Sequence, residues 1–207
     1  MHTRLWNKHT TQHRSDTVAT AVFSMVMRLR RNGERDYIVA MNANPRTSAL
    51  AAAFVSQAIA HLQDNFLPKI RKCLEILSEE DVWWRASEVE NSVGNMLLHL
   101  SGNVRQWIIS GLGGEPDKRD RPREFAVRGG VSRWDAFSLL ESTVKEACQV
   151  LNRLSEEDLL KERTIQGFRR SGMQAVFHVV EHFSHHTGQI IFVTKLRRHQ
   201  DLKFYSL

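Results

Sequence analysis

The segment FHVVEHFSHHTGQI, residues 177–190, carries four of the ten histidines of this 207-residue chain. It belongs to a longer stretch, from about residue 171 to residue 199, in which apolar residues recur at intervals of three and four. This spacing predicts an amphipathic helix. Because His178, His182 and His186 follow one another at intervals of four, they form one stripe along that helix.

Three further long helices are predicted upstream, because the same apolar periodicity recurs in three other stretches. The first covers about thirty residues from Asn44, and Pro68 is expected to bend it or to shift its register. Asn91 or Ser92 can cap the second helix, Gly113 and Gly114 can end it, and Ser132 can cap the third. The connections after the second and third helices are long. Four long helices with two long crossovers predict an all-α fold, a four-helix bundle.

Residues 1–43 differ in character from the rest of the chain. They begin polar and aperiodic, continue with a short apolar run, and hold four of the six net positive charges within residues 1–40. We predict that residues 1–43 form an N-terminal extension, disordered or outside the fold, and that residues 44–207 form the bundle. Met41 is the expected start of the protein. The alternatives are a basic arm, a presequence, or an amphipathic membrane-binding helix over residues 18–31.

Composition and charge exclude several classes of protein. No uncharged apolar run is long enough for a membrane-spanning helix, so no membrane partner is expected. The body of the chain is nearly neutral and lacks a basic helix face with interleaved aromatic residues, so no nucleic-acid partner is expected. Cys73 and Cys148 lie in apolar helical patterns and predict buried thiols in place of a disulfide, which fits a cytoplasmic protein.

The histidine stripe predicts a metal site. Two histidines four residues apart can bind one metal ion from adjacent helical turns, but a site with an open position usually takes three protein ligands. His99 is the other histidine within an apolar helical pattern, so His99, His182 and His186 are the candidate ligands. Phe177 and Phe183 beside the stripe predict that it abuts the core, where unpartnered imidazoles are unfavourable. The alternative is a set of satisfied or solvent-facing histidines.

The long loop before the third helix is the other feature of interest. EPDKRDRPREFAVRGG, residues 115–130, exceeds most connections in length, which is typical of a functional lid or rim. Its arginines, together with Arg105, could meet an anionic substrate, but a solvated charged loop is the favoured interpretation. Glu181 points about 100° away from His182 around the helix, so we expect it on the surface.

Two segments of the chain together resemble a known family. They are SVGNMLLHLSGNVRQWI, residues 92–108, and HVVEHFSHHTGQI, residues 178–190. Over about residues 45–200 the chain resembles the DinB-like (YfiT-type) superfamily of four-helix-bundle metalloproteins. That superfamily has one histidine on its second helix and an H-x-x-x-H pair on its last helix, followed by x-Gly-Gln. The resemblance assigns the metal ligands to His99, His182 and His186.

The resemblance also implies an architecture and a chemistry. It implies an up-down-down-up bundle, a nickel or zinc ion and a homodimer. We expect His178 and Gln189 to support the ligands without binding the metal. In relatives with assigned activity the metal holds a low-molecular-weight thiol, so the resemblance implies a metal-dependent thiol S-transferase acting on a small molecule. A metal-dependent hydrolase and a non-catalytic, stress-related metal-binding bundle are the alternatives, and no catalytic residue is assigned.

Overall fold

The structure is a computed structural model, and it describes residues 48–204 together with residues 25–26 and 40–41. Met25–Val26 (β1) pairs antiparallel with Ala40–Met41 (β2). The chain divides into two units, Met1–Ala43 and Asn44–Leu207. The predictions made for residues 1–43, including a start at Met41, fall largely outside the described residues and stay predictions.

Four long helical rods account for most of residues 48–204, so the fold is the predicted all-α four-helix bundle. The rods are α1 (Ala49–Ala60) joined to α2 (Leu67–Ile76) by a π-helical segment (His61–Phe66); α4 (Val93–Val104) with its π-helical extension (Arg105–Ser110); α6 (Arg133–Leu151); and α8 (Gly172–Arg198). Between them lie the short helices α3 (Glu79–Trp83), α5 (Arg121–Ala126) and α7 (Glu156–Leu160), and the hairpin of β3 (Glu162–Ile165) and β4 (Phe168–Ser171). The long connection from α4 to α6 fits the up-down-down-up order.

Serine caps set the starts of the long helices. Ser92, Ser132 and Ser171 each accept a hydrogen bond from a backbone N–H of the first turn, as expected for these residues. The Ser92 and Ser171 N–H groups in turn donate to the side-chain oxygen of the residue three positions later, which completes a capping box. The predicted starts of the second, third and fourth long helices are therefore confirmed.

The first rod shifts its register beside Pro68, as expected: the shift lies in the π-helical segment just before the proline, and the proline itself lies in the first turn of α2, where its missing N–H is tolerated. The structure differs from the sequence prediction in two other places. The second rod ends at Ser110, slightly before the predicted glycines. The loop of residues 115–130 is only partly irregular, because it contains α5.

The core is formed by the inward faces of all four rods. Ile70, Leu97, Leu140 and Phe183 are fully buried, one from each rod. Phe177 was expected beside the core, but 61% of it is exposed, so that expectation is wrong. Cys73 and Cys148 are both buried and free, in agreement with the prediction. None of the helices within residues 48–204 combines the length and the apolar character that crossing a bilayer requires.

A buried carboxylate ties the end of α8 to α3. Asp81 accepts hydrogen bonds from the Ser78 N–H at 3.1 Å, from Arg197 Nε at 2.9 Å and from Arg198 Nη1 at 3.2 Å. Burial alone would raise the pKa of Asp81, but the hydrogen bonds from Ser78 and Arg197 outweigh it and hold the pKa below its usual value. The folded state therefore favours the ionised form, which makes this contact dependent on pH.

Asp81→Asn is expected to lower the free energy of unfolding at pH 7 by about 1–2 kcal/mol, since both arginines lose a charged acceptor while keeping partial access to solvent. The pKa of Asp81 is lower in the folded state than in the unfolded state. The stability difference between wild type and Asp81→Asn is therefore fully present above the ordinary aspartate pKa of about 3.9, and it disappears as the pH falls through the folded-state pKa. Urea unfolding from pH 7 to pH 3 measures it. Glu75→Gln, at an exposed position of α2, is the control. Equal stability of Asp81→Asn and wild type at pH 7 would contradict the expectation.

Candidate metal centre

The three predicted ligand residues lie together in the structure. His99 is on α4, while His182 and His186 occupy successive turns of the neighbouring α8. One nitrogen from each ring lies within 4.8 Å of the others, and the Nε2 atoms of His99 and His182 are 2.9 Å apart. His99 is buried and the other two are partly exposed, so the cluster lies at the edge of the core.

Neighbouring acceptors fix the orientation of two of these rings. His99 Nδ1 lies 2.8 Å from Glu124 Oε2, and His186 Nδ1 lies 2.7 Å from Gln189 Oε1. Carboxylate and amide oxygens only accept hydrogen bonds, so these two contacts favour the tautomers in which Nδ1 carries the proton and donates it. The Nε2 atoms of His99 and His186 therefore keep their lone pairs, which is the form that binds a metal. The expected supporting role of Gln189 has this geometric basis.

Burial keeps the two α8 imidazoles neutral. Desolvation, followed by the neighbouring imidazoles, lowers the pKa of His182 to about 3. Desolvation and His99 likewise lower the pKa of His186 to about 4. Both rings are therefore neutral at neutral pH, so neither carries a positive charge that would oppose the binding of a cation.

The long loop contributes a buried ion pair that sequence reasoning missed. Arg119 donates from Nε to Glu124 Oε1 at 2.7 Å and from Nη2 to Oε2 at 2.8 Å. Only 4% of the Arg119 side chain and 10% of the Glu124 side chain are exposed. The favoured interpretation of this loop as a solvated charged segment is thus wrong for these two residues, because they close over His99 as part of the site. By contrast, Glu181 is exposed, as predicted.

The charge of Glu124 is stabilised within this arrangement. Burial alone would raise its pKa, but hydrogen bonds from Arg119 and His99 prevail and lower it. Arg119 is held in turn by Gln106, whose Oε1 accepts from Nη1 at 2.8 Å. A carboxylate that orients a histidine in this way is the usual companion of a histidine metal ligand.

The loop is attached to α4 through its backbone. Asn95 Nδ2 donates to the carbonyl oxygens of Glu124 at 2.8 Å and Val127 at 2.9 Å. Arg85 Nη2 donates to the Val127 carbonyl at 3.2 Å and also contacts Asn95 Oδ1. Asn95 is also the capping-box residue of α4, so the start of α4 and the position of the loop that contains α5 both depend on this one side chain.

His178 lies one turn from His182 but outside the group of three. Its ring stacks on that of His182, with centroids 5.5 Å apart, and contacts the Trp107 ring at 4.2 Å. The Asn103 amide nitrogen is 3.4 Å from His178 Nε2, whereas Asn103 Oδ1 and Trp107 Nε1 have no hydrogen-bond partner among the described residues. This contact with His182 is compatible with the predicted supporting role of His178, which stays a prediction.

The donor set fits a divalent transition metal. Imidazole nitrogens bind zinc at about 2.0–2.1 Å, so two ligands of a tetrahedral ion are about 3.3 Å apart. The 2.9 Å between His99 Nε2 and His182 Nε2 is close to that separation, and one nitrogen from each of the three rings lies within 4.8 Å of the others. Neutral imidazoles suit zinc and nickel, among other metals.

A glycine allows the ion pair to approach α4 closely. A Cβ at Gly102 would lie 2.8 Å from Glu124 Cδ and 2.9 Å from Arg119 Nε. Gly102→Ala is expected to displace Glu124 from His99 and to weaken metal binding about three- to tenfold, while better helix propensity offsets part of the strain in the fold. Metal titration beside thermal unfolding measures both quantities.

Gly188→Ala on α8 is the matched control for Gly102→Ala. A Cβ at Gly188 meets no atom within 4 Å, so this change should leave metal affinity unaltered. Equal metal affinity in both variants would contradict the expectation for Gly102.

Comparisons with known proteins agree with the fold. The family model described as "Protein of unknown function (DUF1572)" matches residues 49–207, and no curated protein matches the chain. A conserved protein from Enterococcus faecalis is 14% identical with a TM-score of 0.58, covering 69% of this chain and 96% of its own. A DinB-like protein from Bacillus cereus is 15% identical with a TM-score of 0.55, and the match covers 69% of this chain and 90% of that protein. A DinB-like protein from Bacillus subtilis is 19% identical with a TM-score of 0.54, and the match covers 72% of this chain and 98% of that protein. At these identities the likeness shows the DinB-like fold.

Proposed function

The chain belongs to the DUF1572 family, and on that premise we propose that it is a DinB-like metal-binding protein that acts on a small molecule. The proposed ligands of a nickel or zinc ion are His99, His182 and His186. The observation that carries the proposal is the convergence of three imidazoles, two of which have an acceptor, Glu124 or Gln189, at their Nδ1 atoms.

A divalent ion on three histidines supplies a Lewis acid with an open position for a substrate atom. The chain's own residues prepare that position. Glu124 keeps the proton of His99 on Nδ1, and Arg119 keeps Glu124 ionised and in place. The segment around α5 covers His99 and so keeps water from that side of the site. Burial lowers the pKa of His178, which makes this ring a neutral neighbour of His182 at physiological pH.

For the reaction we propose thiol-dependent S-transfer. Two properties of the chain bear on the source of the thiol. Burial raises the pKa of Cys73, and burial raises the pKa of Cys148 to about 12. Neither described cysteine can therefore supply a thiolate at neutral pH, and a low-molecular-weight thiol would have to bring the sulfur. Hydrolysis of a small molecule is the alternative reaction, and it needs no thiol.

A second copy of the chain is the proposed protein partner. Several large apolar side chains of α8 are exposed, including 66% of Phe192, together with Met173, Phe177 and Leu196. Such a surface is typical of a helix that packs against another molecule. Sedimentation equilibrium that returns the monomer mass would contradict the homodimer.

Metal removal tests the proposed function. The purified full chain, reconstituted with nickel or zinc, is expected to hold about one ion per chain, and a chelator should remove it without unfolding the bundle. The four rods have a core of their own, so the melting temperature should fall by only the few degrees that follow from losing a bound ligand. Elemental mass spectrometry and circular dichroism measure the two quantities.

The outcomes distinguish a structural metal from a metal that takes part in a reaction. Complete unfolding on chelation would identify a structural metal, and no metal after reconstitution would exclude the proposal. With the loaded chain, product that forms only when cysteine or glutathione is added supports S-transfer. Product that forms equally without thiol supports the hydrolase.

A further inference from the structure

Besides the candidate metal centre, the structure has a cavity next to the buried ion pair of Arg119 and Glu124. It is a cavity of about 430 Å³ between α4, α6 and the loop that contains α5, a size typical of small-molecule sites. Arg119 and Glu124 form part of its wall, whereas His99, His182 and His186 do not line it. The cavity thus meets the candidate metal centre at this ion pair and at Gly102, and none of the three histidines lines it.

Apolar atoms, in part from the stems of charged side chains, form most of the surface that lines the cavity. Leu98 and Leu139 come from α4 and α6, and Val127 and Val131 come from the segment after α5. Leu139 is 48% exposed, although its side chain would be better removed from water. A ligand with an apolar body would bury this surface.

Two of the four cationic side chains that line the cavity have no ion-pair partner among the described residues. Arg105 pairs with Glu146, and Arg119 pairs with Glu124. The other two cationic side chains that line the cavity, those of Lys118 and Arg123, form no ion pair with a carboxylate in the described part of the chain.

Asp120 is the remaining acidic residue of the lining, and its side chain caps α5 by accepting from the Arg123 N–H at 3.2 Å. Lys118 and Arg123 therefore carry more positive charge than this one carboxylate balances. The rim favours a ligand with a negative charge.

We propose that this cavity binds a small organic anion with an apolar body, of the kind represented by a medium-chain monocarboxylate. The apolar lining takes the chain of the ligand, and Lys118 and Arg123 take its carboxylate. The assignment rests on the shape and charge of the cavity, and it does not depend on the proposed metal or on the reaction.

Isothermal titration of the full chain with octanoate tests this assignment, with octylammonium and butyrate as the comparison ligands. Octanoate is expected to show saturable binding, at least tenfold tighter than that of octylammonium. Each buried methylene raises affinity roughly fourfold, so burial of at least two of the four additional methylenes should make octanoate bind at least about fifteenfold more tightly than butyrate. Metal content is measured on the same samples and should not alter these ratios.

Variants locate the binding. The double substitution Lys118→Gln and Arg123→Gln should weaken octanoate about tenfold, and Leu139→Asn should weaken it about fivefold; these residues are exposed, so the fold should persist. The matched control is Lys145→Gln with Arg153→Gln, which removes the same charges from exposed positions outside the cavity. Equal affinity for octanoate and octylammonium, equal effects of the two double variants, or no saturable binding of octanoate at about 10 mM would each overturn the proposal.

Discussion

His182→Ala is expected to abolish stoichiometric metal binding, with nickel or zinc affinity falling at least about 100-fold. His182 Nε2 faces His99 Nε2 at 2.9 Å, and its ring lies 4.5 Å from that of His186, so its removal leaves two nitrogens on separate helices. A titration against a competing chelator measures the affinity, and elemental mass spectrometry measures the content of the purified chain.

His185→Ala is the matched control for this experiment. His185 lies on the same helix and is exposed, with its ring 5.5 Å from that of His186, yet it is outside the group of three. The control should keep about one ion per chain. If His182→Ala retained the wild-type content, or if both variants lost the metal equally, the assigned ligand set would be wrong.

Glu124→Gln is expected to weaken metal binding about 10–100-fold, the usual cost of losing the partner that orients a histidine ligand. A glutamine can still accept the Nδ1 proton of His99, but its amide group would then face Arg119, which has only donors. The ring would lose the single orientation that now directs Nε2 toward His182. The measurement is the same chelator-competition titration.

Two comparisons separate this positioning effect from a loss of stability. Glu146→Gln removes an exposed carboxylate that pairs with Arg105, and it should leave metal affinity unchanged. Asp81→Asn should destabilise the fold without altering metal affinity, because its contacts lie at the far end of α8. If Glu124→Gln bound metal within threefold of wild type, Glu124 would have no role in positioning His99.

The bundle and its three clustered histidines follow from patterns along the chain. His99, His182 and His186 each lie in a long periodic helix, where the 3.6-residue repeat fixes which side chains share a face. Gln189 could be anticipated for a similar reason, since it lies three residues from His186 on the same helix. These are local relations, and the sequence is sufficient for them.

The ion pair over His99 does not follow from any such pattern. Glu124 is 25 residues from His99, in a charged segment with no periodicity, and nothing in its neighbours distinguishes it from the exposed charges around it. Its burial depends on tertiary features, the missing side chain at Gly102 and the amide of Asn95. Phe177 shows the opposite failure, since periodicity identified the helix but not which of its apolar residues meets the core.

The π-helical segment that extends α4 has a consequence for insertions and deletions. Such a segment is an α-helix that accommodates one surplus residue. Removing one residue from Arg105–Ser110 would therefore restore an unbroken α-helical hydrogen-bond ladder, and side chains beyond the segment would keep their faces because the wide turn had absorbed the surplus residue. Inside the segment the change is not neutral, because Ile108 and Ile109 are fully buried and Gln106 accepts from Arg119. The wide turn thus decides which side chains of this one stretch reach the core and the cover of His99.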